Sequence, residues 1–362
     1  MKLDSKTLLA GAAALVLLGG GAGMAMTGCS SSDDADADGG GAASSQGQPP
    51  ARPEGNATTD STDRTFAVNS LKLGLNNDWR KLGYNIDGKV STGASKDVCA
   101  PAANALTSPH QDGDNGIDNS FGAIVLKSLI DIQPDIQNLA NDALKTGSFT
   151  IMIQVKGLPT AAPTALTGLS GQLFAGGNFD TEDAGALPAY DKTTDWPVLP
   201  AILKDETSVA SGSKITFANS YVADGTFVSG DRLTVTLNLN FSGIQLALSV
   251  KNAIITGKPS GSDMNDGIIS GYLVTSEVEK ALRDVGGRLS LSFCGSAVDT
   301  FIDNLKTSSD LLADGTTDGA RECDAISIGL GFSAKEIANP TKVAKVAPGD
   351  TTDPCLGDGG AQ

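Results

Sequence analysis

The sequence predicts a mainly β domain, an antiparallel sandwich or jelly roll with a few inserted helices, that follows a signal peptide and a disordered linker. Two observations support this fold class. Several segments alternate apolar and polar residues, as strands with one buried face do. Apolar residues at helical spacing are confined to a few short stretches, and no repeated strand–helix–strand order is seen.

Residues 1–28 have the organisation of an export signal. Two lysines precede a short apolar run that glycines interrupt from Gly19 onward, which makes it a poor membrane-spanning helix. The run ends at MTGC, whose last residue is Cys29. MTGC resembles the lipobox of bacterial lipoproteins, in which the cysteine is lipidated, with palmitate among the acyl chains. The resemblance implies an outer-membrane anchor, since Ser30 and not aspartate follows the cysteine.

Residues 29–63 are predicted to form the lipid anchor and a disordered acidic tether. The segment after Cys29 has almost no aromatic or large aliphatic side chains, so it cannot bury a core. As a flexible coil it would reach about 30 Å. A folded β-rich domain is expected over 64–338, and a loose C-terminal tail over 339–362.

The composition narrows the range of partners. A formal net charge of −16 argues against nucleic acid, whose binding depends on basic side chains that neutralise phosphate. Aromatic residues make up 5% of the chain, and Trp79 and Trp196 are its only tryptophans, so platforms for sugars are few. The expected partners are the membrane, through the lipid anchor, and a cell-surface protein or glycan.

Strands are predicted where apolar residues alternate. The clearest segment is RLTVTLNLN, in which Leu233 and Val235 face one side and the intervening threonines face the other. Asp224-Gly225, between the apolar ends of YVADGTFVS, predicts a tight hairpin. The other predicted strand segments are TFAV and LKLGL at the domain start, FTIMIQVKG, GIQLALSVKNAIITG and DAISIGLGF.

Four helices are predicted. Helical spacing over 119–144 is broken by Pro134, which gives two helices, and Gly147 should end the second. SEVE, beginning at Ser276, is a capping box that starts a third helix, which we expect to close at Gly286. AVDTFIDNL predicts a fourth.

Four cysteines remain besides Cys29, an even number that predicts two disulfides in an oxidising compartment, with free thiols as the alternative. Three pairings are possible. We favour Cys294 with Cys323, the closer pair, and Cys99 with Cys355, which would fasten the tail. The sequence contains no CxxC spacing, which argues against a zinc or redox site.

The segment HQDGDNGIDNSFG is the most suggestive chemical signal. Asp112, Asp114 and Asp118 have the spacing of oxygen ligands for calcium, and the segment resembles the aspartate-glycine loops of EF-hand, dockerin and thrombospondin type-3 modules. It departs from the EF-hand pattern, because Gly116 and Ala123 occupy ligand positions. Calcium is therefore a candidate cofactor and the only one.

The alternative interpretation of this segment is purely structural. Asp118 or Asn119 would cap a helix that begins at Ser120, and the remaining residues would form turns. Two further acidic clusters, SGSDMNDGIISG and DGTTDGARECD, are also typical of solvated turns.

Catalytic motifs are sparse. His110 is the single histidine, and the chain has no GxSxG motif. GLGFSA, at 329–334, matches GxGxxA after a strand but is not followed by another strand, so a dinucleotide site is rejected. A glycan-directed hydrolase that uses a carboxylate pair and a lipid or small-molecule carrier remain alternatives.

Three segments, WRKLGYNIDGKV, DGDNGIDNSFG and CDAISIGLGF, resemble those of exported lipoproteins of the myxobacterial type. The resemblance spans most of the folded region and implies the localisation, without a catalytic residue or a ligand. The expected function is that of a surface or periplasmic lipoprotein with a non-enzymatic binding or structural domain. Calcium stabilisation is open.

Overall fold

Most of the predicted strand segments form strands in the computed structural model. It describes residues 47–105, 108–132, 134–161, 163–177, 179, 187–241, 244–289 and 296–345. The predicted signal peptide, Cys29, Cys294 and Cys355 lie outside these residues. The strands are β1 (Asp63–Lys72), β2 (Thr150–Lys156), β3 (Ala165–Gly176), β4 (Leu203–Asp205), β5 (Ser208–Ser213), β6 (Ile215–Ala223), β7 (Thr226–Val228), β8 (Leu233–Phe241), β9 (Ile244–Ser260), β10 (Asp263–Val274) and β11 (Ala325–Ile337).

The main sheet is antiparallel and closes on itself, so the predicted sandwich or jelly roll is wrong. Its strand order is β10-β11-β1-β2-β3-β6-β7-β9-β8, and β9 also pairs with β10. Eight strands therefore form a closed barrel, and β8 continues along the edge of β9 beyond β7. Alternation predicts one buried face per strand, which a sandwich and a barrel share, so the sequence pattern does not distinguish the two.

The barrel interior is filled by apolar side chains. Phe66, Phe217, Phe227 and Phe332 are each at most 2% exposed and belong to one continuous core. A second core lies on the outer face of β1, β2 and β3 under the segment that contains Trp196. This second core covers the other face of β2, so Thr150, Met152 and Gln154 are buried as well as the alternating apolar residues.

The helices follow the prediction with one correction. A π-helical turn over Phe121–Val125 leads into α1 (Leu126–Ile132), and α2 (Ile136–Lys145) follows Pro134. Gly147, with φ of 81°, comes directly after α2 and its cap residue, as expected. α3 (Thr275–Leu289) continues past Gly286, and α4 is Ser296–Thr307. A glycine inside a helix weakens it by about 1 kcal/mol and does not by itself end it.

Side-chain amides of α2 hydrogen-bond to backbone groups of β1 at a point where β1 has no neighbouring strand on that edge. β1 pairs with β2 only as far as Ala67. Beyond that point Leu71 N–H donates to Asn141 Oδ1 at 2.8 Å, and Gln137 Nε2 donates to Leu71 O at 2.7 Å. α2 therefore closes this end of the sheet through hydrogen bonds, because buried backbone groups require partners.

Part of the predicted tether is fastened to the domain. Thr58 N–H donates to Thr167 O at 2.8 Å, Tyr221 Oη donates to Pro50 O at 2.8 Å, and Asn85 N–H donates to Gly47 O at 2.7 Å. The predicted boundary at residue 63 therefore lies too late. The composition of this segment excludes only a buried core of its own, whereas hydrogen bonds to an existing surface hold it in place.

The predicted tail also begins too early. Lys342 O accepts a hydrogen bond from Val198 N–H at 2.9 Å, and Ala344 N–H donates to Val198 O at 2.8 Å. The tail is thus paired to the outer segment as far as residue 344. The cluster SGSDMNDGIISG is likewise corrected, since most of it is strand β10.

Candidate functional site

The segment HQDGDNGIDNSFG lies against the outer face of β11 and is mostly buried. His110, Asp112, Asp118 and Asn119 are between 2% and 6% exposed. Buried polar side chains are costly unless they are hydrogen-bonded. Each of these four has partners in the described structure, which include backbone groups of residues 82–99 and of β11.

The turn at the tip of this segment depends on its glycines. Gly113 N–H donates to Ile117 O at 2.8 Å and closes the turn. Asn115 and Gly116 both have positive φ. A Cβ on Gly116 would lie 2.8 Å from Asn85 Nδ2, so a larger residue has no room there. The turn prediction is confirmed at these residues.

Asp118 binds backbone N–H groups of a neighbouring loop. Its Oδ2 accepts hydrogen bonds from Ile86 N–H at 2.5 Å and from Asp87 N–H at 3.3 Å. Burial, followed by the charges of neighbouring carboxylates, that of Asp87 first, raises the pKa of Asp118 well above its ordinary value. The carboxyl therefore tends to hold a proton.

Asp112 is the hydrogen-bonded neighbour of Asp118. Its Oδ2 accepts a hydrogen bond from Ser91 N–H. Burial raises the pKa of Asp112 to about 7, and a side-chain hydrogen bond with Asp118 acts in the opposite direction. Two carboxyl groups in contact favour a shared proton, because two neighbouring negative charges repel each other.

Asp310 is a third buried carboxyl of this site, and it was not predicted from the sequence. Its Oδ1 accepts Ser327 N–H at 2.8 Å and its Oδ2 accepts Ser327 Oγ–H at 2.5 Å. Burial raises the pKa of Asp310 to about 7. Its only local signal is an aspartate that follows two serines and precedes two leucines, and no sequence pattern links it to the loop at Asp112.

Asn119 fills the unpaired edge of β11. β1 pairs with β11 only from Gly331 onward. Asn119 Oδ1 accepts Gly329 N–H at 3.1 Å, and its Nδ2 donates to Gly329 O at 3.1 Å. Its Oδ1 also accepts Gly122 N–H at 3.0 Å, which confirms the predicted capping role of Asn119. We call Asp112, Asp118, Asn119, Asp310 and Ser327 the polar seam.

His110 connects the polar seam to a disulfide. Cys99 and Cys323 are bonded, with a Cα–Cα distance of 5.3 Å. His110 Nε2 lies 2.8 Å from Cys99 O and 3.8 Å from Cys323 Sγ. Burial lowers the pKa of His110.

Both favoured disulfide pairings are wrong. Cys99 is bonded to Cys323, so Cys99 cannot pair with Cys355, and Cys323 cannot pair with Cys294. Cys99 and Cys323 are far apart in sequence, and backbone pairing of Ala100 with Glu322 brings them together. Closeness in sequence is a poor guide to closeness in space for a bridge between two loops. Cys294 and Cys355 lie outside the described residues.

The three predicted calcium ligands are only partly brought together. Asp112 and Asp118 are in contact, but Asp114 forms an ion pair with Arg80 at 2.9 Å and is 41% exposed. In the described part of the chain, one group of three potential metal ligands has its ligand atoms within 4.8 Å of one another. It consists of Cys99, His110 and Cys323.

A surface cleft of about 280 Å³ opens beside the disulfide. Lys306 Nζ lies 3.0 Å from Glu279 Oε2 in its lining. Hydrogen bonding to Lys306 is the largest cause that lowers the pKa of Glu279. The lining consists of Ala102, Asn104, Val274, Thr275, Ser276, Glu279, Lys306, Ser309, Glu322, Cys323 and Asp324.

Fold and site together define a disulfide-bonded, closed β-barrel domain with a buried polar seam on its outer face. Comparison with protein-family models, with curated proteins and with solved structures gives no match. None of the helices in the described ranges is long and apolar enough to cross a membrane.

Proposed function

We propose that the chain is a lipid-anchored lipoprotein of the outer membrane whose barrel is a non-enzymatic binding or structural domain. The MTGC motif that ends at Cys29 supports the anchor, and one structural observation carries the non-enzymatic role. His110 and the carboxyls of Asp112, Asp118 and Asp310, whose pKa values are raised, bind backbone groups or one another within the seam region. Groups used in this way stabilise loops and are not free to transfer protons to a substrate.

The fastening of residues 47–62 supports a role under mechanical load. Arg52 donates from its guanidinium to Asn219 O at 2.8 Å, and its guanidinium carbon lies 5.7 Å from the centre of the Tyr221 ring. A pull on an anchor at Cys29 would be spread over several contacts before it reaches β1. This arrangement suits a domain that is held at a surface.

The cleft beside α3 and α4 supplies the binding surface of the proposal. Its lining contains hydrogen-bond donors and acceptors, supplied by Asn104, Thr275, Ser276, Lys306 and Ser309. Such a lining fits a hydroxyl-rich ligand, so a cell-surface glycan is the proposed partner class. Recognition here would rest on hydrogen bonds, since the lining contains no aromatic residue.

Fractionation of cells tests the anchor and the localisation. The wild-type chain is expected in the outer-membrane fraction and Cys29→Ala in the soluble fraction. Ser30→Asp is the matched control, because it keeps the lipidation site and changes only the following residue. The proposal requires Ser30→Asp to stay membrane-bound, and wild-type chain in the soluble fraction would contradict it.

A glycan-directed hydrolase is a second candidate, favoured by the three carboxylates that line the cleft, Glu279, Glu322 and Asp324. Such enzymes need two carboxyl groups that flank the scissile bond. Release of reducing sugar by the wild type, lost in Glu322→Gln or Asp324→Asn but retained in Asp114→Asn, would establish this activity. Binding of glycan without turnover favours the first proposal.

A further inference from the structure

Cys99, Cys323 and His110 form a buried cluster, of which Cys323 lines the cleft, and the proposed binding function does not use this cluster. One sulfur of each cysteine and one ring nitrogen of the histidine all lie within 4.8 Å of one another. Two sulfurs and one imidazole form the ligand set of Cys₂His zinc sites that keep a fourth position open. We propose that reduction of this disulfide creates a zinc site made of Cys99, Cys323 and His110.

The distances require little rearrangement. Zinc–sulfur bonds of about 2.3 Å and zinc–nitrogen bonds of about 2.0 Å place tetrahedral ligands about 3.5 to 3.8 Å apart. His110 Nε2 is already 3.8 Å from Cys323 Sγ. The two sulfurs must separate from bonding distance to about 3.7 Å, and Cys99 Sγ starts within 4.8 Å of the histidine nitrogen. Side-chain rotation about the Cα–Cβ bonds covers such a change.

The backbone keeps the two cysteines together when the bond between them is broken. Ala100 N–H donates to Arg321 O at 2.7 Å, and Cys323 N–H donates to Ala100 O at 2.9 Å. Cys99 N–H donates to Thr317 Oγ1 at 2.6 Å. The ligands are therefore positioned by hydrogen bonds that do not depend on the disulfide, which lowers the entropic cost of metal binding.

His110 has a second contact of the kind that supports a metal ligand. Besides its contact with Cys99 O, the ring hydrogen-bonds the backbone of Asp310. A metal-bound imidazole uses its other ring nitrogen to donate to a carbonyl or carboxylate, which fixes the ring. Zinc at Nε2 would replace the contact with Cys99 O, and Nδ1 would then be the ring nitrogen available to the Asp310 backbone.

The cleft gives reductant and metal a route to the cluster. Cys323 is part of the cleft lining, together with Asn104 and Asp324. A small dithiol supplies two electrons and two protons, becomes a cyclic disulfide, and leaves Cys99 and Cys323 as thiols. Zinc binding then releases the two thiol protons to solvent. Oxidation and zinc binding are therefore mutually exclusive states of one site.

Cobalt(II) absorption tests the proposal on the full-length chain. The chain is reduced without oxygen, freed of reductant and titrated with cobalt(II), then with zinc. We expect the visible bands of tetrahedral, thiolate-bound cobalt at one equivalent, their loss on addition of zinc, and no such bands in the oxidised chain. A reduced chain that binds no cobalt would overturn the proposal.

Variants assign the ligands. His110→Ala should weaken cobalt binding by more than about tenfold. Cys294→Ser with Cys355→Ser is the matched control, and this variant should bind as the wild type does. Binding that is unchanged in His110→Ala, or lost in the control, would contradict the assignment. If the reduced chain unfolds, circular dichroism must show that zinc restores the fold, and failure to refold would also sink the proposal.

Discussion

The barrel interior and the polar seam are equally buried but are built in opposite ways. The interior takes apolar side chains from the inward face of the strands, and any apolar residue of similar size contributes similar area. The polar seam takes three residues from the loop at 112–119, Asp310 from another loop and Ser327 from β11. Each has particular partners, such as Gly329 for Asn119. Interior residues should therefore tolerate apolar exchange, whereas residues of the polar seam should not.

The largest expected effect is in the interior. Phe66, fully buried in β1, should lose about 3 to 5 kcal/mol of unfolding free energy when replaced by alanine, because a cavity remains. Phe66→Leu should lose clearly less. Urea denaturation monitored by tryptophan fluorescence measures both. Equal losses for Leu and Ala would contradict the view that volume alone matters at this position.

The next effect is in the polar seam. Asn119→Leu keeps the size of the side chain but leaves Gly329 N–H and Gly122 N–H without their acceptor. We expect a loss of about 2 to 3 kcal/mol in the same denaturation assay. If Asn119→Leu loses less unfolding free energy than Phe66→Leu does, the polar seam tolerates apolar exchange as well as the interior does, and the predicted difference between the two regions is wrong.

The pH dependence of stability separates the regions further. Asp112 has an ordinary pKa of 3.8 and a folded-state pKa of about 7, so between these values the folded chain holds a proton that the unfolded chain has lost. Unfolding free energy should therefore fall as pH rises from about 4 to about 7, by at most about 1.4 kcal/mol per pH unit for each such carboxyl.

Asp112→Asn should flatten this slope, and Asp310→Asn should do the same, since burial also raises the pKa of Asp310 to about 7. Phe66→Leu serves as the control, because it should shift the whole curve without a change in slope. Denaturation midpoints at half-unit pH intervals provide the measurement. A wild-type slope of zero across this window would refute the buried protons.

The smallest effect on unfolding free energy should be at Asp114, at the exposed edge of the loop that also contains Asp112 and Asp118. Asp114 and Arg80 form an ion pair in which both side chains are 41% exposed. Exposed pairs contribute between about 0 and 1 kcal/mol. Asp114→Ala should therefore change unfolding free energy by less than about 1 kcal/mol, as should Arg80→Ala. A larger loss would place Asp114 within the polar seam.

The same contrast explains what the sequence could predict. Alternation located β1, β2, β8, β9 and β11, and Asp224-Gly225 forms the expected hairpin between β6 and β7. β10 was missed because Gly267 and Gly271 interrupt its apolar pattern, and these glycines lie where Phe332 and the Lys251 backbone leave no room for a side chain.

The polar seam was predictable only in part. The turn at Gly116 and the capping role of Asn119 depend on neighbouring residues, so local patterns indicated both. Asp310 and the Cys99–Cys323 bond depend on pairing between distant loops, which no local pattern encodes. The separation of Asp114 from Asp112 has the same origin, since Arg80 belongs to another turn.

Thermal unfolding of the wild type and of Asp118→Asn at pH 8, with EDTA and with calcium, tests the central claim most directly. Asparagine keeps an acceptor for Ile86 N–H and offers a donor to Asp112. A structural role predicts a wild-type melting temperature that calcium leaves unchanged, and an Asp118→Asn chain at least as stable. A calcium-dependent rise that Asp118→Asn abolishes would contradict this account, because it would make the loop an ion site.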